Sequence, residues 1–541
     1  MLCHRQAVLG LLAGGLVFQS AQAADLPLKA KAVEYVRACS LYGAGFWYIP
    51  GTDTCIKIGG YLRVDTTING GGSHGQPAWS GDSGQGNRFA DYFVSRSRFA
   101  LQVDTRTGTE YGVVRTYAQG DFQFNNFGSS NPSTVGAAPS TLGGLSGSFL
   151  NGVGGGYVAV EYVFIQFAGF TFGKSASPYA SPWQGFPGNI NSFLIGGESD
   201  DNAGINNIQY TAQLGNGVSV TVGAVDPTVW TRTPVYNLAL GVGAAGTGTN
   251  AYGGWTAPDF AGNIRIDQAW GLLQFSGAAH AVSGSYNTLG AGGAPVAGPT
   301  ATTDSVLSGH PDTKWGGAGM VALQIKNIPT GAGDDIKLDA SYAKGATKYV
   351  ISTSATSPSF AMFGGSGSAY QSVGFGATSD GVWLPTASGG DGRIHLTTSW
   401  GVRGAFNHNW DPYWSTSLFG AYAQVRYDGS TNDNLTGVGL SSAIGAYCAA
   451  FAVSHPGQAL AGNTTGAYTC NPNYEASQIG LLTRWTPVKN LTFSAEVDWF
   501  HLYQHMSGSS VFTPTAPQPT ALYEFKDQNT VAGQVRVQRN F

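Results

Sequence analysis

The sequence predicts an all-β protein, a transmembrane antiparallel β-barrel of about 16 strands with short turns at one end and long loops at the other. Three observations carry this. The composition departs from that of a soluble domain, with 80 glycines, 12% aromatic residues and only 11% charged residues, yet mean hydropathy is −0.06. Beyond residue 23 no apolar run reaches the roughly 18 residues of a membrane helix; low charge with neutral hydropathy is what strands of alternating apolar and polar residues produce. Finally, tight turns alternate with long Gly/Ser/Thr/Asn/Pro-rich stretches, the pattern of outer-membrane barrels with periplasmic turns and external loops.

Taken in chain order, His4 and Arg5 precede an apolar run over 7–18, and Ala21-Gln22-Ala23 offers small residues for cleavage. Residues 1–23 read as a secretory signal peptide, with the mature chain starting at Ala24. The apolar stretch is too short to span a bilayer, and Cys3 lies ahead of it, so neither a membrane anchor nor a lipoprotein is indicated. The full chain carries a net charge of −4; losing Arg5 with no acid leaves about −5, which does not suggest nucleic acid. Residues 24–54 form a periplasmic lead-in, a short helix or an extended segment, and the barrel occupies 55–541.

Outside the signal there are four cysteines, Cys39, Cys55, Cys448 and Cys470. Three connectivities are open, but two of them would join the ends of the chain, so local pairing is expected: Cys39–Cys55 and Cys448–Cys470. Each bridge would contribute about 3 kcal/mol by closing a short loop. No pair has zinc-ligand spacing, and no metal or cofactor is expected.

The first strand shows the alternation, with Ile56, Ile58, Gly60, Leu62 and Val64 on one face and Lys57, Gly59, Tyr61, Arg63 and Asp65 on the other. In the second, Phe99, Leu101 and Val103 share a parity opposite to Arg96, Arg98, Gln102, Asp104 and Arg106. The last strand places Val531, Gly533, Val535, Val537 and Phe541 on one face, with Arg539 acceptable among them only at the membrane edge. A strand running to Phe541 would close the barrel against the first strand, at 55–68.

Tight connections are expected at 106–109, 168–169, 215–217, 276–278, 328–334, 411–412 and 487–490. Long loops are expected at 69–88, 125–156, 175–204, 226–262, 287–314, 344–393, 429–474 and 507–529. Eight loops and seven turns require about 16 strands, a number that leaves an aqueous interior, whereas about 8 strands are filled by their own side chains. Trp400, Trp410, Trp414, Trp485 and Trp499, near strand ends, fit interfacial girdles.

The segment Cys39-Ser-Leu-Tyr-Gly-Ala-Gly-Phe-Trp-Tyr-Ile-Pro-Gly-Thr-Asp-Thr-Cys-Ile-Lys-Ile-Gly-Gly-Tyr61 resembles the entry segment of the general porins of alphaproteobacteria. Phe167-Ala-Gly-Phe-Thr-Phe-Gly-Lys174 resembles the hairpin before the third loop of that family, and a terminal phenylalanine such as Phe541 is shared by outer-membrane barrels. The resemblance implies a 16-stranded homotrimeric channel in the outer membrane, among lipid and lipopolysaccharide, passing small hydrophilic solutes and ions, with the third loop folded inward. Carried onto this chain, the constriction loop would be 175–204 with the acids Glu198, Asp200 and Asp201. Arginines Arg63, Arg96, Arg98 and Arg115 on early strands would face them as a basic wall. The field between the two would orient dipolar solutes and disfavour apolar ones.

Strings that look catalytic are better read as structural. Gly71-Gly-Ser-His-Gly75 matches G-x-S-x-G but sits in a loop with no strand-to-helix elbow. Gly81-Asp-Ser-Gly84 has no ordered His/Asp partners, and the Gly-Lys-Ser ending at Ser175 lacks phosphate-loop spacing. His501 and His505, four apart on a strand, are about 13 Å apart and cannot share a metal. An enzyme is therefore not expected, and a passive diffusion channel is. The alternatives are a solute-selective channel with a saturable site along the lumen, or a barrel scaffolding an adhesin or enzyme.

Overall fold

The computed structural model describes residues 37–69, 92–125, 157–190, 194–198, 204–228, 233–243, 246–285, 288–289, 295–297, 310–351, 359–365, 371–429, 440–455, 468–514 and 519–541. Sixteen strands form one closed antiparallel sheet. The first half comprises β1 (Thr54–Ile68), β2 (Phe93–Thr109), β3 (Gly112–Asn125), β4 (Tyr157–Phe167), β5 (Phe170–Ser175), β6 (Ile205–Gly215), β7 (Val218–Val225) and β8 (Asp259–Gln268). The second half comprises β9 (Gly271–Val282), β10 (Lys314–Lys326), β11 (Asp335–Lys344), β12 (Thr398–Asn409), β13 (Trp414–Arg426), β14 (Tyr474–Val488), β15 (Leu491–Gln504) and β16 (Gln528–Asn540). Each pairs with the next, and β16 pairs with β1 from Tyr61↔Asn540 to Ile68↔Gly533, so the sheet has no free edge. Beyond that register the Phe541 amide donates to the Gly60 carbonyl at 3.1 Å. Only glycine suits position 60: its φ is +151°, and an added Cβ would lie 1.9 Å from the Ala100 carbonyl oxygen.

The expected parity holds. Ile58, Leu62 and Val64 on β1, Phe99 on β2 and Val531 and Val535 on β16 are exposed on the outer face, while Asp65, Arg96 and Gln534 are buried on the inner one. Arg539, on the outer face, donates to the Lys489 carbonyl of the last turn, which puts it at the barrel rim. Trp410, Trp414 and Trp485 cluster at the turn end, with Trp414 and Trp485 stacked at 5.8 Å, and Trp400 and Trp499 lie toward the loop end.

Two turns differ from expectation. The first falls at 110–111 rather than 106–109, since strand pairing continues to Thr109↔Gly112. The small residues 276–278, expected as a turn, sit inside β9, where Ser276 faces Asn263 on β8 and Met320 on β10. The chain instead turns at 269–270, and the preceding long loop ends at Asp259, earlier than the predicted 262.

Both expected disulfides are present, Cys39–Cys55 with Cα atoms 6.1 Å apart and Cys448–Cys470 at 5.7 Å. The first ties the lead-in to the turn end of β1, where Trp47 pairs with Ile56. The lead-in before residue 37 and the signal segment lie outside the described residues.

The long loops fold on one another. A five-stranded sheet joins the hairpin Phe360–Gly364/Ser372–Gly376 of the sixth loop to Ala521–Phe525, Ser507–Phe512 and Tyr468–Thr469 of the last two loops. The helix Ala443–Ser454 packs on it, capped by the Ser442 hydroxyl accepting from the Gly445 amide at 3.1 Å. Phe375, Phe451, Phe512 and Phe525 form the centre of this cap. The same hairpin reaches into the barrel, where Phe360 stacks on Phe500 at 5.6 Å and meets Tyr474 edge-on at 5.4 Å.

The strict parity yields a direct test. Leu62→Arg, on the outer face at mid-strand, is expected to cost about 2–4 kcal/mol, whereas Gln102→Arg on the inner face stays within about 0.5 kcal/mol. Urea-dependent folding into lipid vesicles measures both.

Candidate functional site

The interior is shaped first by the third loop, 176–204, which leaves β5 and returns to β6. Prolines 178, 182 and 187 keep it from continuing as a strand, and it buries Tyr179, Trp183, Leu194 and Ile195. Its backbone is caught by inward side chains from across the barrel. On one side Asn263 of β8 and Gln274 of β9 donate to the carbonyls of Pro178 (2.6 Å) and Ala180 (2.8 Å). On the other, Asn407 of β12 and Arg484 of β14 donate to the carbonyls of Pro187 (3.0 Å) and Gly188 (2.7 Å). The Ile190 amide donates to Glu496 Oε2 of β15 at 2.5 Å and the Ile195 amide to Gln478 Oε1 of β14 at 2.8 Å. Tyr162 of β4 donates from its hydroxyl to Gln184 Oε1 at 2.9 Å. The loop therefore crosses the lumen, as the resemblance implied. Tyr179 also meets Tyr349 of the sixth loop, ring centroids 4.5 Å apart, and burial pushes its hydroxyl well above the usual phenol range, so it stays neutral.

A buried ion pair anchors the far side. Arg403 of β12 and Asp339 of β11 are both fully buried, with Nε 2.9 Å from Oδ1, and Trp183 Nε1 donates to Asp339 Oδ2 at 2.7 Å. The guanidinium also donates to three loop carbonyls, those of Leu194 (3.3 Å), Gly197 (3.3 Å) and Glu198 (2.5 Å). The loop can wrap this closely because residue 197 is glycine; a Cβ there would lie 2.7 Å from Asp339 Oδ1 and 2.8 Å from Arg403 Cζ.

The structure places Glu198, the one described acid of the predicted cluster, in this anchor, buried and beside Arg403. It does not face the early-strand arginines. Asp200 and Asp201 lie outside the described residues.

The predicted arginines do share an inner wall, formed by β16 and β1–β4, but they come with their own acids. Arg96 Nη2 is 2.6 Å from Asp65 Oδ2, and Arg536 of β16 bonds the other oxygen of Asp65. Arg98 Nη1 lies 2.6 Å from both Asp121 and Glu161. Arg115 and Arg106, paired in register near the first turn, share Asp104 at 3.0 and 3.1 Å. Arg63 alone of the four makes no salt bridge among the described residues. It donates to Gln538 Oε1 at 2.8 Å and lies over the Tyr61 ring at 4.4 Å.

Glu161 owes its place to a β-bulge. Opposite Gln119 and Gly120 the register skips it, so outward residues change from Val158 and Val160 to Val163 and Ile165. Glu161 and Tyr162 consequently both reach the interior, one to Arg98 and the other to Gln184. Lys174, the lysine of the phosphate-loop-like string, bonds the bulge carbonyls of Val160 and Glu161 at 2.9 and 2.8 Å. The histidines near the loop end are accounted for as well: His501 lies between Trp499 and Tyr503, and His505 pairs with Glu475 at 2.8 Å. The strings at 71–75 and 81–84 lie outside the described residues.

Comparison with known proteins now adds a family. A model of the family described as Porin subfamily matches residues 25–534. The chain belongs to this porin subfamily. Porin Omp2b of Brucella abortus (strain 2308) is 31% identical over 276 residues, 50% of this chain and 64% of that protein. Porin Omp2b of Brucella neotomae is 30% identical over the same shares. The matched part thus spans slightly less than two thirds of these relatives. Among solved structures, the outer membrane channel DcaP of Acinetobacter baumannii is similar in fold, with a TM-score of 0.52 and 14% identity over 91% of this chain and 99% of that one. With its closed sheet, this porin is an outer-membrane β-barrel, and the resemblance of 39–61 to general porins agrees with the family match.

The anchor of the third loop in this porin can be tested by mutation. Arg403→Ala leaves Asp339 charged and buried without a partner and is expected to cost about 3–5 kcal/mol. Asp339→Leu combined with Arg403→Met recovers much of that loss. The urea midpoint of folding in micelles reads the cost, and single-channel current of the single variant is expected to become larger and noisier as the loop detaches.

Proposed function

We propose that this porin is an outer-membrane channel for passive diffusion of small hydrophilic solutes and ions. The observation that carries the reading is a closed 16-stranded barrel with ionised groups along the inner face of β16 and β1–β4 and carboxamides along that of β6–β9. Sixteen strands exceed what side chains alone can fill, and a wall of ionised groups keeps water in the path. The outward aliphatic bands take up lipid, the cap meets lipopolysaccharide, and the assembly is a homotrimer, as the resemblance to general porins implies.

The arginine wall sets ion preference in this reading. Arg63, Arg96, Arg98, Arg106, Arg115 and Arg536 outnumber Asp65, Asp104, Asp121 and Glu161 by two, so the wall is positive and favours anions. The resemblance would set the loop acids Asp200 and Asp201 against it.

Single-channel conductance of the refolded protein in a planar bilayer tests the reading, with reversal potentials in a salt gradient. Large stepwise openings are expected, and their absence from a correctly folded barrel contradicts the proposal. Arg63→Gln with Arg536→Gln raises the cation-to-anion permeability ratio, each lost charge shifting the entry of either ion by about two- to five-fold in opposite directions, the effect of a unit charge acting through water at about 4–8 Å. Neutralising Asp200 and Asp201 moves it the opposite way.

A further inference from the structure

The inner wall changes character along the sheet. One strand beyond the arginine wall, β6–β9 and the first half of the third loop line a cavity of ≈ 460 Å³, within the size range of small-molecule sites. Its wall side carries four carboxamides, Gln209, Gln213, Asn263 and Gln274, and hydroxyls including Ser219 and Thr221. Strand parity explains the set, because the intervening residues Ile208, Tyr210, Val222 and Ile264 are exposed on the outer face. Its loop side presents the rings of Pro178 and Pro182.

The two charged groups at its turn-side rim satisfy each other, Arg265 Nη2 lying 2.9 Å from Asp267 Oδ2, with Lys326 Nζ a further 3.1 Å from Asp267. The cavity is also held in shape. Gln274, 2% exposed, is fixed by its bonds to the Ala180 carbonyl (2.8 Å) and Ser276 (2.9 Å). Asn263 holds the Pro178 carbonyl, and Thr211 and Thr221 hydroxyls are 3.0 Å apart. These bonds use the amide nitrogens and leave carbonyl oxygens turned to the space. Gln213 and Ser219 make no side-chain hydrogen bond among the described residues.

We propose that this cavity is a binding site for a neutral polyhydroxylated solute, a sugar of one or two rings. Each carboxamide offers a donor and an acceptor, as each sugar hydroxyl does, so the wall can replace the hydration shell bond for bond. The proline rings present apolar surface to the C–H faces of a pyranose. A charged solute of the same shape gives up ionic hydration there, and the rim cations Arg265 and Lys326 are already engaged by Asp267. The site rests on the channel reading only for its supply of solute; binding itself requires just the folded barrel.

The test pairs glucose with glucuronate, the same ring with and without a carboxylate, on the refolded full-length barrel. Ligand-observed NMR in micelles reads binding, and single-channel current is recorded beside it. Saturable binding of glucose is expected, roughly ten-fold or more weaker for glucuronate. It is lost in the double variant Gln209→Leu/Gln213→Leu, whose folding is checked by heat-modifiable gel mobility. Normal conductance with no saturable glucose binding, or with glucuronate bound as well as glucose, overturns the site and leaves the channel reading standing. Glucose binding without conductance supports the site and contradicts the channel. Should the double variant fail to fold, Ser219→Ala and Gln213→Ala singly are expected to weaken glucose binding, and unchanged binding in both overturns the assignment.

Discussion

In hydrocarbon no backbone amide or carbonyl can be left without a hydrogen-bond partner, and the rest of this structure follows from meeting that demand with strands. A sheet satisfies it only by closing, which here means β16 lying against β1 over Tyr61–Ile68. Closure in turn forces every strand to present one face to lipid and one to the interior, so the sequence must alternate. It also fixes where the sheet must pass tightly, as at Gly60, which sits where Phe541 bonds its carbonyl and Ala100 crowds its Cα. Once sixteen strands close, the interior is too wide to be packed by wall side chains, and loops are needed to shape it.

How the interior is shaped depends on balancing charges inside a low-dielectric shell. Most inward ions come in compensated groups: Asp65 with Arg96 and Arg536, Arg98 with Asp121 and Glu161, Asp104 with Arg106 and Arg115, Asp339 with Arg403. The last group differs in being sealed, and its spare donors hold the third loop. The apolar inward residues of the later strands, such as Phe500 and Tyr474, are covered by the hairpin of the sixth loop. Three wall types result: an ionised wall over β16 and β1–β4, an amide wall over β6–β9, and a covered wall over β11–β15.

Much of this was legible in the sequence because period-two alternation maps directly onto lipid and water. The faces of β1 and β2, the strand number and both disulfides follow from parity, turn residues and cysteine proximity, and the inward third loop from the family resemblance. The turn at 269–270 was hidden because the pair Ala269-Trp270 is not a usual turn pair, while Ser-Gly-Ala at 276–278 imitates a turn inside a strand. Arg536, Arg403 and Asp339 could have been found by parity, each alternating with outward Val535, Val402 or Leu338. What parity does not give is the partner. Glu198 lies next to Arg403 rather than the early arginines, a consequence of tertiary loop folding. The bulge at Glu161 breaks the period itself, and the cap emerges from long-range pairing among loops whose composition alone reads as irregular.

In the proposed channel the third loop lines the path of permeation rather than resting apart from it. The measurement that addresses this most directly is thiol modification at Gln184→Cys during single-channel recording; Gln184 lies on the loop where the Tyr162 hydroxyl of β4 meets it. Cys39, Cys55, Cys448 and Cys470 are tied up in the two disulfides, so in protein refolded from residue 24 onward a water-soluble cationic methanethiosulfonate reagent has one target. A stepwise fall in current upon modification is the predicted result. Complete modification with unchanged current would contradict the account.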